Sequence, residues 1–143
     1  MNAIAAATIS DQNYRTTCTI GTDGRHKFIS DEPANLGGED LGPTPIEHFC
    51  AAIAACKAIT ARMYADRKQW PADSISCTVS HDLRVQADGP KPTKIPHLDI
   101  TLSITGNIDD QQRARLKEIA ERCPVQRMIQ ADCVITTALA NPA

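Results

Sequence analysis

The sequence predicts a mixed chain of strands and helices, and three observations carry that expectation. Ser74–Val85 and Leu98–Ile104 alternate apolar and polar residues with period two, as half-buried strands do. Phe49–Cys56 contains no polar residue and follows a helix-start signal. Leu116, Ile119, Ala120 and Cys123 fall at i, i+3, i+4 and i+7, the apolar stripe of a helix. The 143 residues, 42% hydrophobic and 22% charged, have an ordinary globular composition. They are expected to form a single domain over residues 1–143.

The elements follow in order. Tyr14, Thr16, Cys18 and Ile20 alternate with Arg15, Thr17 and Thr19, which reads as a strand. Thr22-Asp23-Gly24 is a turn signal, and Arg25–Ile29 returns as the second arm of a hairpin. A weaker strand is expected at Ile4–Ile9. Asp31–Pro45 is a loop rich in Pro, Gly and acids, either functional or a plain connector. Thr44-Pro45-Ile46-Glu47 carries a capping box with Pro at the first helical position. A helix is expected from Pro45 to about Arg67.

Within that helix, Phe49–Cys56 reads as buried on every side. A chain this small supplies little cover, so a partner subunit is expected to wrap it. The two long alternating runs should pair as a hairpin around the loop Asp88–Pro96. Asp109 or Asp110 can cap a helix that stops at Cys123, because Pro124 disfavours helical dihedrals there. Pro124 can open a short helix to about Gln130. Asp132–Leu139 is expected as a final strand.

Composition excludes several classes of function. Net charge is −2, against a nucleic-acid footprint. Five aromatics (Trp70, Tyr14, Tyr64, Phe28, Phe49) make no base-stacking platform. No stretch approaches about 20 apolar residues, so no membrane partner is expected. Met1–Ser10 lacks a basic region before its apolar run, so no secretory signal is read. A cytoplasmic protein with reduced thiols is the expectation.

Six cysteines stand out: Cys18, Cys50, Cys56, Cys77, Cys123 and Cys133. None forms a C-x-x-C pair, which argues against structural zinc. Cys18, Cys77 and Cys133 lie on expected strands and read as small buried hydrophobes, as does Cys50 on the apolar helix. Cys56 shares a stripe with Phe49, Ala52, Ile53, Thr60 and Met63. It reads as another core thiol unless a cation activates it, and Arg25, Arg62 and Arg127 are the candidates. Cys123 falls at the N-cap position before Pro124, where free N–H groups and the helix dipole favour a thiolate. Whether Cys56 and Cys123 meet is open at this level. If they do, they can act as a redox pair. No signature of a cysteine hydrolase surrounds any thiol, although His26, His48, His81 and His97 are available as bases.

The stretch GGEDLGPTPIEHFCAAIAACKAITARMYADRKQWP, followed by ERCPVQRMI, resembles the OsmC/Ohr family, in its OsmC-like branch. The resemblance covers about Thr19 to Leu139. It implies an α+β fold with strongly curved antiparallel sheets around a long central helix, in an intertwined homodimer. It implies reduction of organic hydroperoxides, in a role in oxidative stress. Cys56 matches the peroxidatic cysteine and Cys123 the resolving one. The reductant implied is a small dithiol or a lipoylated protein, with no haem, flavin or metal.

Two departures accompany the match. The family's organic hydroperoxide enzymes carry an Arg in the first hairpin turn, where this chain has Thr22, with Arg25 three residues on. They also place a Glu ten residues before the peroxidatic cysteine, whereas Glu47 lies nine before Cys56. Nine residues at about 100° each put Glu47 on the far side of the helix from Cys56. The expected catalytic set is Cys56, Cys123, Arg25 and Glu47, with the capping box as a sufficient role for Glu47. A non-enzymatic dimer binding a small apolar or thiol ligand at its subunit interface is the alternative.

Overall fold

The computed structural model describes residues 3 to 10 and 13 to 140. Its contacts divide into two units, Met1–Ala51 and Ala52–Ala143, with the boundary inside the long helix. The architecture is α+β, with antiparallel sheets and three α-helices.

The first unit holds three short strands, β1 (Ala5–Ile9), β2 (Thr16–Ile20) and β3 (His26–Ser30). They form one antiparallel sheet in chain order, with Cys18 opposite Phe28 in the β2–β3 register. The loop after β3 wraps around a single carboxylate. Asp31 is 2% exposed, and its oxygens accept the backbone N–H groups of Glu32 at 2.8 Å and of Glu39 and Leu41 at 3.2 Å. Burial pushes this carboxyl up, but those three donors, with Arg15 nearby, hold it below the usual range. The path passes so close that a Cβ on Gly38 would meet the Glu32 carbonyl oxygen at 1.8 Å. One turn of 3-10 helix, Ala34–Leu36, lies within this loop.

Helix α1 spans Pro45–Arg67, as its start signals require. Thr44 and Glu47 cap it reciprocally. The backbone N–H of Thr44 donates to Glu47 Oε2 at 2.7 Å, and that of Glu47 donates to Thr44 Oγ1 at 3.3 Å.

The second unit carries the long hairpin, β4 (Ala72–Gln86) and β5 (Thr93–Gly106), paired in register from Ala72↔Gly106 to Gln86↔Thr93 with a bulge between Ala72 and Ser74. Gly106 sits at φ +124°, and a Cβ there would lie 2.3 Å from the Pro71 carbonyl oxygen, so the turn of chain at the bulge requires glycine. Helix α2 (Asp110–Ala120) starts at a capping box between Asp109 and Gln112, and α3 (Pro124–Gln130) starts at Cys123. Ala65, Ala72, Ile108 and Leu116 form the core, with Tyr64, Trp70, Ile75 and Ile104 packed on it.

Three expectations need correction. The stripe that α1 buries is Ile53, Lys57, Ala61 and Ala65, one step around the helix from the stripe through Cys56. Phe49 and Met63 of that expected stripe are 39% and 68% exposed within one chain. Asp132–Leu139 forms no strand. Its residues Val134 and Leu139 are 89% and 99% exposed: a strand needs a neighbour's backbone, and this segment pairs with none among the described residues. Cys133, on that segment, is exposed rather than a core residue, while Cys18, Cys50 and Cys77 are half-buried.

Candidate functional site

Cys56 lies in the middle of α1 and is half-buried. Cys123 lies at the corner between α2 and α3 and is fully buried. Pro124 creates that corner by ending one helix and opening the next. The corner seats Cys123 beside Cys56, near enough that each thiol bears on the other's ionisation. The fold therefore joins the two cysteines that the sequence left apart.

Cys123 is the N-cap of α3, and its Sγ accepts the backbone N–H of Gln126 at 3.4 Å. The expected lowering of its pKa does not follow. Burial pushes the thiol up, and the adjoining Cys56 adds to this, outweighing the Gln126 N–H and the Lys57 ammonium. On β4, burial likewise pushes the Cys77 thiol up, against the pull of Lys57.

Lys57 is the residue that the sequence reading passed over. It is 3% exposed, and its Nζ donates to the Ala120 carbonyl oxygen at 3.3 Å and to Gln126 Oε1. Its signal was present: a lone Lys one turn after Ile53 and one turn before Ala61.

Of the three expected cations, Arg62 is engaged elsewhere. The Arg62 guanidinium donates to the carbonyl oxygens of Ala72 at 2.7 Å and Asp73 at 3.2 Å, fastening α1 to the start of β4. Arg127 is exposed on α3. Arg25 follows the β2–β3 turn, where its backbone N–H donates to Asp23 Oδ1 at 3.2 Å. Thr22 holds no charge at that turn. The Glu47 carboxylate takes both the N–H and the hydroxyl of Thr44, which hold it below its usual range.

Two hollows border the thiol corner within the second unit. One, of about 450 Å³, is lined by Thr60, Met63, Ile119, Arg122 and Pro124 among others. Thr60 is one turn along from Cys56, whose carbonyl oxygen takes its hydroxyl at 2.7 Å. The other, of about 620 Å³, has Ile100, Leu102 and Ile104 along β5 and reaches Lys57 and Gln126. No helix among the described residues is long and apolar enough to cross a membrane.

An α+β chain with paired thiols at a helix corner defines a cysteine-site protein class, and comparison identifies which. The family described as OsmC-like protein matches residues 37–138, and the chain belongs to that family. An organic hydroperoxide resistance protein OsmC from Legionella pneumophila is 26% identical, with 91% of this chain and 90% of that chain covered at a TM-score of 0.62. An OsmC-like protein from Mycoplasma pneumoniae is similar in fold, at TM-score 0.71 and 14% identity over 91% and 88% of the two chains. So is an organic hydroperoxide resistance protein from Elizabethkingia anophelis, at TM-score 0.67 and 19% identity over 89% and 86%. Among curated proteins, none matches the chain.

Proposed function

We propose that this protein is a thiol peroxidase that reduces organic hydroperoxides through Cys56 and Cys123. The observation that carries the reading is the placement of Cys123 beside Cys56 in a chain of the OsmC-like family. The Cys56 thiolate attacks the outer peroxide oxygen, an S–O bond forms, the O–O bond breaks, and the alkoxide leaves as the alcohol with the proton that the Cys56 thiol released. Cys123 then attacks the resulting sulfenic acid, giving a disulfide and water. An external dithiol, free or on a lipoylated protein, resets the pair by exchange.

Arg25 is the proposed guanidinium partner of the peroxide step. Glu47 is assigned to the helix cap, since its carboxylate is taken by Thr44. We also propose an intertwined homodimer in the cytoplasm, built from one domain per chain. Exposed Phe49, Ile59 and Met63 on α1 and Val134 and Ile135 after α3 supply the apolar surface that a second copy would cover.

The test is turnover of cumene hydroperoxide with dihydrolipoamide. Activity lost in both Cys56→Ser and Cys123→Ser is the expected result. An inactive wild type would leave the non-enzymatic ligand-binding dimer, which the uncharged Thr22 turn favours, as the better reading.

A further inference from the structure

Lys57 is the one charged side chain in the stripe that α1 buries. Burying an ammonium is costly unless its hydrogens are taken up, and an apolar side chain of similar volume often serves packing as well or better. Here two of its three donors are used, on the Ala120 carbonyl oxygen at the end of α2 and on Gln126 Oε1 in α3. The same Gln126 gives its backbone N–H to Cys123 Sγ. One ammonium thus ties α1 to both helices of the corner that carries Cys123.

We infer that Lys57 is the positioning residue of the thiol pair: it fixes the corner that presents Cys123 to Cys56 and supplies the countercharge when Cys123 reacts as a thiolate. The reaction step rests on the peroxidase reading; the electrostatic part does not. In that step the Cys123 sulfur bonds to the Cys56 sulfur and the S–O bond of the sulfenic acid breaks. Hydroxide leaves and is neutralised by the proton that Cys123 released. Cys123 is oxidised as the sulfenic sulfur is reduced. The groups bearing on Cys123 are Cys56 and Lys57 from α1, Cys77 from β4 and the Gln126 N–H from α3. Lys57 is the only cation among them.

The test is the pH profile of Cys123 alkylation by iodoacetamide in a Cys56→Ser background, read by peptide mass. Lys57→Met removes charge and donors together. Lys57→Gln removes the charge but leaves a donor for the Ala120 carbonyl. Both are expected to move the profile up by about one pH unit, about tenfold slower alkylation at a fixed lower pH. A merely structural lysine would show the shift in Lys57→Met and recovery in Lys57→Gln, and that result overturns the inference, as do profiles that superpose on the parent. If thermal melts show Lys57→Met unfolded, Lys57→Gln alone decides. A shifted profile in a protein without hydroperoxide turnover would remove the peroxidase reading and leave the electrostatic role of Lys57. Turnover with unshifted profiles would do the reverse.

Discussion

Cys56 and Cys123 are neighbours, one thiol from the middle of α1 and the other from the α2–α3 corner. The relationship joins a half-buried sulfur to a fully buried one. Burial makes the Cys123 thiol harder to ionise than an ordinary cysteine.

That asymmetry sets the first prediction. The Cys123 thiol is pushed above the ordinary cysteine value by burial. Its alkylation in the wild-type chain should still be rising with pH beyond the range where a free cysteine levels off, near 8.5. Labelling at a series of pH values checks this. A midpoint at or below the free-cysteine value would contradict it.

Glu47 offers a separation of cap from catalysis. Thr44 holds its carboxylate below the usual range, so the cap is fully made at neutral pH and is lost as pH falls below the unfolded value of 4.5 through the folded one. Glu47→Ala should lower the melting temperature by a few degrees at neutral pH and leave hydroperoxide turnover unchanged. A collapse of turnover with an unchanged melt would reassign the residue to the reaction.

Asp31 makes the first-unit loop sensitive to acid. Its folded pKa lies below its unfolded value of 3.8. Its contribution is therefore complete above that value and disappears as pH falls through the lowered one. Asp31→Asn should flatten the acid side of the stability curve and loosen Glu39 and Leu41, whose N–H groups lose a charged acceptor. Faster amide exchange at those two positions is the readout.

The core of the second unit tests packing. Leu116 is fully buried beside Ala65, Ala72 and Ile108. Leu116→Ala should cost about 2–5 kcal/mol, because the small alanines around it cannot close the cavity. Denaturant unfolding measures the loss, and a cost under about 1 kcal/mol would mean that the site collapses freely.

The apolar surface of α1 and the segment after α3 predict association. Light scattering at micromolar concentration should return about twice the 15.5 kDa chain mass. Met63→Asp, at a position 68% exposed in one chain, should shift the protein towards monomer without lowering helix content. A monomeric wild type would remove the dimer proposal.

Much of the fold was legible in the sequence because its signals are local. Thr44, Pro45 and Glu47 set the start of α1, Asp109 set the start of α2, and Pro124 placed the break before α3. The alternation from Ile75 to Val85 specified β4, whose pairing with β5 followed from adjacency. The resemblance around Cys56 and Cys123 pointed to both thiols. By itself, however, spacing could not say that they meet, since nothing local relates a helix centre to a corner far along the chain.

Only the tertiary structure decided which face of α1 is covered. Alanine lies on nearly every side of that helix, so periodicity could not choose between the stripe through Cys56 and the one through Lys57. The choice went to Lys57 because Ala120 and Gln126, brought there by α2 and α3, supply the acceptors that make a buried ammonium tolerable. Burial likewise overturned the lowered pKa that the N-cap position of Cys123 suggests. A cap's N–H and a dipole are local, but desolvation is imposed by whatever else packs around the sulfur. The sequence determined most of the elements, and the resemblance singled out Cys56 and Cys123. The fold determined their contact, their cation and the balance of charge between them, because each of those depends on residues distant in the chain.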